Sequence, residues 1–331
     1  MTRTTRPHRF KQFRMCYCLA VAVFLSGEAG YSQSPAQRPS STALPAIAVK
    51  TELVVLPVRV IDRNGDFVSG LSLDHFRVYQ DGRLQRISLF QPEDAPVSVG
   101  LIVDHSRSMG PKLAEVTAAI VAFSTSSNPQ DEMFVVDFND DVSLEPHDGR
   151  AFTDDPAELA KAVSAVSARG QTKLYDAVNE GLKHLQLAHR DKRALIIVSD
   201  GGDNASQHRY RDVLALARRS QTVIYSIGLL GDSGEEENPG ILRRLCQDTG
   251  GIAFFPEAKE TVRTVSARIA RDLREQYTLG FAPQRRTSDS GPDYHKMDVK
   301  VSVPGRGRIR VQTRRGYFNS EMLAAFGKRA S

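Results

Sequence analysis

The clearest pattern in the chain is an apolar run that ends in evenly spaced polar side chains. Five of the seven residues at 97–103 are aliphatic, which predicts a strand buried on both faces, as in a parallel sheet. Asp104, Ser106 and Ser108 follow at alternate positions, before the turn-forming residues 109–111. One carboxylate and two hydroxyls are hard oxygen ligands, which suit Mg²⁺ far better than zinc or copper. The end of this strand is therefore a candidate site for a hard cation.

Two later segments offer the further oxygen ligands that an octahedral ion requires. Thr172 stands in a loop just before a helical pattern. Residues 194–199 form a second apolar strand that runs into Asp200, and residues 201–204 continue it as Gly-Gly-Asp-Asn. Asp203 and Asn204 could orient this loop or simply form its turn.

The region from residue 96 to residue 274 alternates strand and helix patterns. Such alternation predicts an α/β fold, with a doubly wound and mainly parallel sheet covered by helices on both faces. The predicted strands are 97–103, 133–138, 142–144, 195–199, 222–227 and 252–255, and the predicted helices are 112–126, 155–168, 174–187, 210–218, 239–248 and 258–274.

On both sides of this region the apolar residues recur with a period of two, which is typical of strands. The predicted strands are 53–61, 77–80, 86–90, 277–281, 297–303 and 308–313, with the second and third joined as a hairpin. Each flank has too few strands to be stable alone. We therefore expect the N-terminal module, 48–94, and the C-terminal segment, 275–318, to pair as one β-sandwich into which the α/β domain is inserted.

The first 32 residues have the layout of a secretory signal, with five basic residues followed by an apolar run near 15–25. The run is about half the length of a membrane span, so we expect export to the periplasm or beyond, with no transmembrane span after cleavage; a retained anchor is the alternative. Residues 33–47 are rich in Ser, Pro and Gln and predict a flexible linker. Residues 319–331 form a tail.

Net charge and cysteine usage exclude two classes of function. The formal charge is +5, but the signal segment carries five basic residues against Glu28, so the remainder is nearly neutral and nucleic-acid binding is not predicted. Cys246 is the only cysteine after that segment, which excludes an internal disulfide and a cysteine-based metal cluster. Its helical surroundings predict a core residue.

The Asp-x-Ser-x-Ser sequence at 104–108, Thr172 and the Asp200-Gly201 pair, in this order, resemble the von Willebrand factor A (VWA) domain and its metal-ion-dependent adhesion site. The resemblance covers about residues 96–274. It implies a metal, Mg²⁺ or alternatively Mn²⁺ or Ca²⁺, and an open coordination position for an Asp or Glu carboxylate of a partner protein. The implied metal ligands are Asp104, Ser106, Ser108, Thr172 and Asp200, the hydroxyls binding directly and the carboxylates directly or through water.

The flanks resemble those of bacterial exported VWA-related proteins. The residues that carry this likeness are Arg63-Asn64-Gly65, the Glu-Gln-Tyr-Thr-Leu-Gly segment at 275–280 and Arg315-Gly316-Tyr317. This likeness implies the same inserted arrangement and adds no activity.

Three functions are compatible with these residues, and the first is a non-enzymatic, metal-dependent protein-binding module. The second is a hydrolase or phosphoryl-transfer enzyme that uses Asp104, Ser106 or Ser108 as a nucleophile. Against it, a haloacid-dehalogenase-like phosphatase would have an aspartate where Ser106 stands, and no Gly-x-Ser-x-Gly elbow is present. The third is a structural envelope or assembly component that uses the β-sandwich, with the metal serving only to hold loops. Each of these side chains, taken singly, could also be a helix cap or a turn residue. We expect His105 to point away from the ion and Asp137 to bond a nearby loop.

Overall fold

The computed structural model describes residues 53–146, 149–231, 237–256, 261–283 and 294–318. The predicted signal segment, linker and tail lie outside these ranges. Within them, no helix is long and apolar enough to cross a membrane.

A six-stranded sheet forms the centre of the α/β domain, as the apolar runs predict. Its strands lie in the order β10-β9-β8-β5-β6-β7, all parallel except β7, which pairs antiparallel with β6. The strands are β5 (Val97–Asp104), β6 (Glu132–Phe138), β7 (Val142–Glu145), β8 (Lys192–Ser199), β9 (Thr222–Gly228) and β10 (Ala253–Phe254).

Six helices cover the two faces of this sheet. They are α1 (Leu113–Ser126), α2 (Pro156–Ala165), α3 (Leu174–His184), α4 (Tyr210–Arg219), α5 (Pro239–Thr249) and α6 (Val262–Arg274). The apolar faces of α1, α2 and α6 form one core with the sheet, and those of α3, α4 and α5 form a second core on the opposite face. The predicted doubly wound α/β architecture is confirmed.

Strand order reverses between β5 and β8, because the chain adds β6 on one side of β5 and β9 on the far side of β8. In such sheets the loops that leave the two central strands diverge, and a crevice opens at their carboxyl ends. Asp104 is the last residue of β5, and Asp200 directly follows β8. The topology therefore places both carboxylates at the mouth of this crevice.

Strands from both flanks form two further four-stranded sheets, ordered β13-β1-β11-β4 and β14-β12-β2-β3. The strands are β1 (Val54–Ile61), β2 (Phe76–Gln80), β3 (Arg83–Gln85), β4 (Ile87–Gln91), β11 (Tyr277–Phe281), β12 (Tyr294–Val301), β13 (Arg310–Gln312) and β14 (Gly316–Phe318). N-terminal β1 pairs with C-terminal β11 and β13, and β2 pairs with β12. The two sheets share one apolar core, so the flanks build a single sandwich.

The predicted hairpin between residues 77–80 and 86–90 is wrong. β2 turns back at Asp81-Gly82 and pairs with the short strand β3, whereas β4 crosses to the other sheet and pairs with β11. Local pattern could not identify the partner of β4, because that partner, β11, belongs to the other flank of the chain. Strand β14 was also not expected.

Buried polar contacts join the sandwich to the α/β domain. The Lys192 ammonium, at the start of β8, donates hydrogen bonds to the carbonyl oxygens of Leu273 and Gln276 just where α6 passes into β11. Burial lowers the pKa of Lys192 to about 8. On the sandwich side, a guanidinium nitrogen of Arg59 lies 3.0 Å from Asp272 Oδ1 in α6. These contacts hold the end of α6 between the two parts of the fold.

Replacement of Tyr277 by Phe tests how the sandwich core is organised. The Tyr277 hydroxyl donates to Val68 O at 2.8 Å and accepts from Leu71 N at 3.1 Å, so its loss leaves two backbone groups without a partner. We expect the free energy of unfolding to fall by about 1–3 kcal/mol, measured by urea denaturation. Tyr79→Phe, at a partly exposed tyrosine of β2, is the control and should change stability by less than about 0.5 kcal/mol. Equal effects of the two substitutions would contradict this account.

Candidate functional site

The first site loop begins with a fully buried carboxylate. Asp104 has no exposed surface, and its Oδ1 accepts a hydrogen bond from the backbone N–H of Ser106 at 2.9 Å. This bond turns the chain sharply out of β5 into a short 3₁₀ helix, Arg107–Lys112. Ser106 is buried, whereas Ser108 reaches the surface. The polar residues at alternate positions thus lead from the sheet interior to solvent.

A chain of side-chain oxygens joins this loop to the loop after β8. The hydroxyl oxygens of Ser106 and Ser108 lie 3.2 Å apart, and the Ser108 hydroxyl donates to Asp200 Oδ2 at 2.8 Å. The other oxygen of Asp200 accepts from the backbone N–H of Gly202 at 3.0 Å, which fixes the orientation of the carboxylate. Three of the predicted ligands therefore lie within hydrogen-bond distance of one another, although 92 residues separate Ser108 from Asp200.

Thr172 belongs to a third loop that is attached to the first two through backbone contacts. Its carbonyl oxygen accepts from the N–H groups of Asn204 and Ala205, both at 3.1 Å, and its own N–H donates to Asn204 Oδ1 at 2.8 Å. The N–H of Arg107 donates to Gly170 O at 3.4 Å, two residues before Thr172. Thr172 itself is 4% exposed. The structure thus brings all three predicted loops to the crevice, with Thr172 tied directly to the loop that carries Asp200.

Asn204 and Asp203 act as connectors between loops. Besides the Asn204 contacts with Thr172, Asp203 Oδ1 accepts from the N–H of Tyr175 at 3.1 Å, in the first turn of α3. Asp140 makes a similar link, since its Oδ1 accepts from Gln171 N at 2.9 Å. From sequence alone, Asp203 and Asn204 could either orient the loop or simply form its turn. In the fold they form hydrogen bonds with neighbouring loops, which corresponds to the orienting role. Asp140 was not singled out, because nothing local distinguishes it from an ordinary turn residue.

Ser199 is the site residue that sequence analysis missed. Its hydroxyl donates to Asp104 Oδ2 at 2.6 Å and accepts from the N–H of Gly201 at 3.0 Å. It joins the ends of β8 and β5 directly, and it is completely buried. A hydroxyl at the end of an otherwise aliphatic strand was the available signal, since buried polar groups need a partner.

Burial raises the pKa of Asp104 to about 6, and the nearby charge of Asp200 contributes in the same direction. The hydrogen bonds from Ser106 and Ser199 act in the opposite direction and lower the pKa. A carboxylate in this setting is costly to ionise without a compensating charge. The Asp104 carboxylate would therefore gain from a cation placed beside it, and protons would compete with that cation below about pH 6.

His105 faces away from the three loops, as predicted. Its side chain is completely buried, with Nε2 3.1 Å from Val163 O and Nδ1 3.1 Å from Asp137 Oδ1. A carbonyl oxygen only accepts hydrogen bonds, so Nε2 carries a proton. His105 and Asp137 therefore support the loop from behind, and the five predicted ligand side chains offer only oxygen atoms.

The residues present fit a small hard cation. Adjacent ligands of an octahedral ion with Mg²⁺–oxygen bonds near 2.1 Å are separated by about 3 Å, and the Ser106–Ser108 and Ser108–Asp200 oxygen separations are 3.2 and 2.8 Å. No group of three or more His, Cys, Asp or Glu side chains suited to a metal occurs in the described ranges. A metal in this crevice would consequently depend on the hydroxyls as well as on the two carboxylates.

Exposed basic side chains border the crevice. Arg107 and Arg169 are both exposed. The backbone N–H of Arg169 donates to His105 O at 2.9 Å, which holds the segment that carries Arg169 beside the first loop. Helix α2 ends at Ala165, three residues earlier than the predicted end, 168, because the backbone becomes extended at Val166. Lys173 directly follows Thr172. The rim of the site therefore carries basic side chains on the first and third loops, beside the exposed carboxylate of Asp140.

The family model of the von Willebrand factor type A domain matches residues 98–268, just over half of the chain. The protein therefore belongs to the von Willebrand factor type A domain family, and the resemblance inferred from the three motifs is confirmed. No curated protein matches the sequence significantly.

Several solved structures are similar in fold. The von Willebrand factor type A protein from Catenulispora acidiphila is 12% identical, covering 83% of this chain and 76% of its own, with a TM-score of 0.49. An aerotolerance-related membrane protein from Bacteroides fragilis is 15% identical, covering 54% and 98%, with a TM-score of 0.43. The vWF domain of the type V pili tip protein Mfa5 from Porphyromonas gingivalis is 12% identical, covering 59% and 99%, with a TM-score of 0.44.

Proposed function

We propose that this protein is an exported, metal-dependent protein-binding module without catalytic activity. Asp104, Ser106, Ser108, Thr172 and Asp200 hold one divalent cation, Mg²⁺ or alternatively Mn²⁺ or Ca²⁺, at the crevice between β5 and β8. The ion supplies an electrophilic position that an Asp or Glu carboxylate of a partner protein occupies. The observation that carries the proposal is the row of oxygens from Ser106 through Ser108 to Asp200, 3.2 and 2.8 Å apart.

The position of Ser108 supports access by a partner. Asp104, Ser106 and Asp200 are buried, but Ser108, the middle member of the oxygen row, is exposed, so the row is open to solvent there. The exposed Arg107 and Arg169 beside it would attract an acidic segment and orient its approach. Where Asp104 and Asp200 bind through water, the direct protein ligands are neutral hydroxyls, and the ion keeps a strong attraction for a carboxylate as the last ligand.

Two alternatives receive less support from the geometry. For acyl transfer, Ser106 and Ser108 would need an adjacent general base. The neighbouring imidazole, His105, is turned away into the protein and contacts Val163 O, and the carboxylate that accepts from Ser108 is that of Asp200, a proposed metal ligand. For phosphoryl transfer, Asp104 would have to reach substrate, and it is completely buried with both oxygens bonded by Ser106 and Ser199. A purely structural role remains as the third outcome of the experiment below.

Export is part of the proposal and depends on residues 1–32. The basic start and the short apolar run support secretion to the periplasm or the medium. A protein-binding role outside the cytoplasm is compatible with the lone Cys246, which is buried and free.

Pull-down from the native envelope and medium, with Mg²⁺ and then with chelator, tests the function. We expect the full chain to capture a protein with Mg²⁺ and to release it with chelator, because the carboxylate contact passes through the ion. Asp104→Ala should abolish capture. Loss of a turnover activity in that variant would instead favour the enzyme, and unchanged capture would favour a structural role. Circular dichroism must show that the variant is folded, since Ser106 N and the Ser199 hydroxyl lose their acceptor.

A further inference from the structure

A cleft of about 380 Å³ lies where the VWA domain meets the β-sandwich. One wall is the turn after α5, residues 250–252, and the other is the crossing from β13 to β14, residues 313–315. The two backbones are in close contact, since a Cβ atom on Gly250 would stand only 2.9 Å from Arg314 N. This turn precedes the parallel strand β10, so the cleft lies at the opposite edge of the central sheet from the candidate metal site.

Arg314 is a buried cation in the lining of this cleft. Its side chain is 6% exposed, and its Nε atom is buried without a hydrogen-bond partner. The closest group of complementary character is the ring of Tyr317, whose centroid is 5.8 Å from the guanidinium carbon. Burial lowers the pKa of Arg314 to about 10. Within the described ranges no carboxylate forms an ion pair with it.

A second polar group in the same wall also lacks a partner. The Thr313 hydroxyl is buried without a hydrogen bond, one residue before Arg314. The charged groups that line the rest of the cleft are Asp298 and Arg315, both exposed to solvent, so the lining has a net positive charge. The side-chain amides of Gln247 and Gln312 complete its polar part.

A guanidinium removed from water without a counter-ion is strongly unfavourable, and pairing with an oxyanion relieves this cost. The planar arrangement of its N–H groups matches the two oxygens of a carboxylate or a phosphate, and the Thr313 hydroxyl can donate one more hydrogen bond. We propose that this cleft binds a small oxyanion, a free phosphate or a small carboxylate, held by Arg314 and Thr313. Bound there, the anion would join the VWA domain to the sandwich.

Two measurements on the full chain test the proposal: thermal unfolding and titration calorimetry. EDTA is present to remove divalent metal ions, so that binding at the candidate metal site does not contribute. The probes are inorganic phosphate and malonate, each compared with NaCl at equal ionic strength. We expect one or both to bind saturably and raise the melting temperature, since a ligand of the folded state stabilises it. The expected affinity of Arg314→Met is lower by about tenfold or more, whereas Arg310→Met, at an exposed arginine of β13 outside the cleft, should match the parent.

Two results would overturn the proposal. The first is the absence of saturable binding of either anion to the parent chain, and the second is equal binding by the parent and Arg314→Met. Should Arg314→Met fail to fold, Arg314→Lys decides the question, because an ammonium keeps the charge but cannot form the paired hydrogen bonds of a guanidinium. Unreduced affinity in Arg314→Lys would count against the site.

Discussion

Asp200→Asn is expected to weaken Mg²⁺ binding by about a hundredfold or more, because one of only two anionic groups at the ion is replaced by a neutral amide. The substitution conserves the shape of the side chain. Its oxygen can still accept from Gly202 N, as Asp200 Oδ1 does at 3.0 Å, so the loop should keep its conformation. Calorimetric titration with Mg²⁺, and electron paramagnetic resonance of Mn²⁺ as a second probe, give the affinities.

Asp191→Asn is the matched control for this experiment. Asp191 directly precedes β8 and Asp200 directly follows it, so the two aspartates stand at opposite ends of one strand. Asp191 is exposed and accepts a hydrogen bond from Gln91 at 2.8 Å, remote from the crevice. We expect Asp191→Asn to bind Mg²⁺ as the parent does and to retain metal-dependent capture of the partner. A folded Asp200→Asn variant with undiminished Mg²⁺ affinity would refute the proposed metal site.

Ending the chain after Arg274 should unfold the N-terminal β module, residues 53–94, because all its neighbours across the flank sheets would be missing. β1 would lose both β11 and β13, and β2 would lose β12. The side chains of Tyr277, Leu279 and Phe281 in β11 are completely buried. Loss of each leaves a cavity worth about 2–5 kcal/mol, and together these costs reach the total stability of a typical domain, about 5–15 kcal/mol.

Limited proteolysis with mass spectrometry measures this outcome. We expect rapid cleavage within residues 53–94 in the shortened chain, together with slower cleavage of the VWA domain, whose cores are formed by α1 to α6 and the central sheet. A chain that ends at Phe318 keeps every strand of the described fold and serves as the control. Protease resistance of residues 53–94 without β11 to β14 would show that the module is stable alone and that the flanks are separate domains.

The candidate site shows how far local pattern reaches. All five proposed ligands could be named from sequence, because each stands at a strand end or near a helix start that apolar periodicity marks, and because the three motifs resemble the VWA metal site. Ser199 and Asp140 could not, because their role is to bond residues that lie about 95 and 31 positions away in the chain. A turn-forming aspartate and a loop-orienting aspartate look identical until the loops are brought together.

The sandwich shows the corresponding limit for the fold. Apolar residues at every second position indicated strands in both flanks. Because each flank has too few strands to be stable alone, the sequence also predicted that the two flanks pair. The partners of β1, β2 and β4 depended on contacts across more than 180 residues, which is why β4 was assigned to the wrong neighbour. Strand β14 pairs with nearby β12 but spans only three residues, too few to show an alternating pattern. The buried Arg314 likewise gave no local sign, because the run of arginines at 306–315 is otherwise exposed.

By itself, the sequence of this protein determined its α/β class, the edge of the sheet at which the polar residues gather, and its membership of the VWA family. Each of these depends on the residue pattern within single elements and their turns, and on the order of those patterns along the chain. The tertiary structure alone decided which flank strands are neighbours, which hydroxyls and carboxylates bond across the crevice, and which arginine is enclosed at the junction. Those outcomes depend on which distant segments pack together and bury each other's side chains. No local sequence pattern specifies that packing.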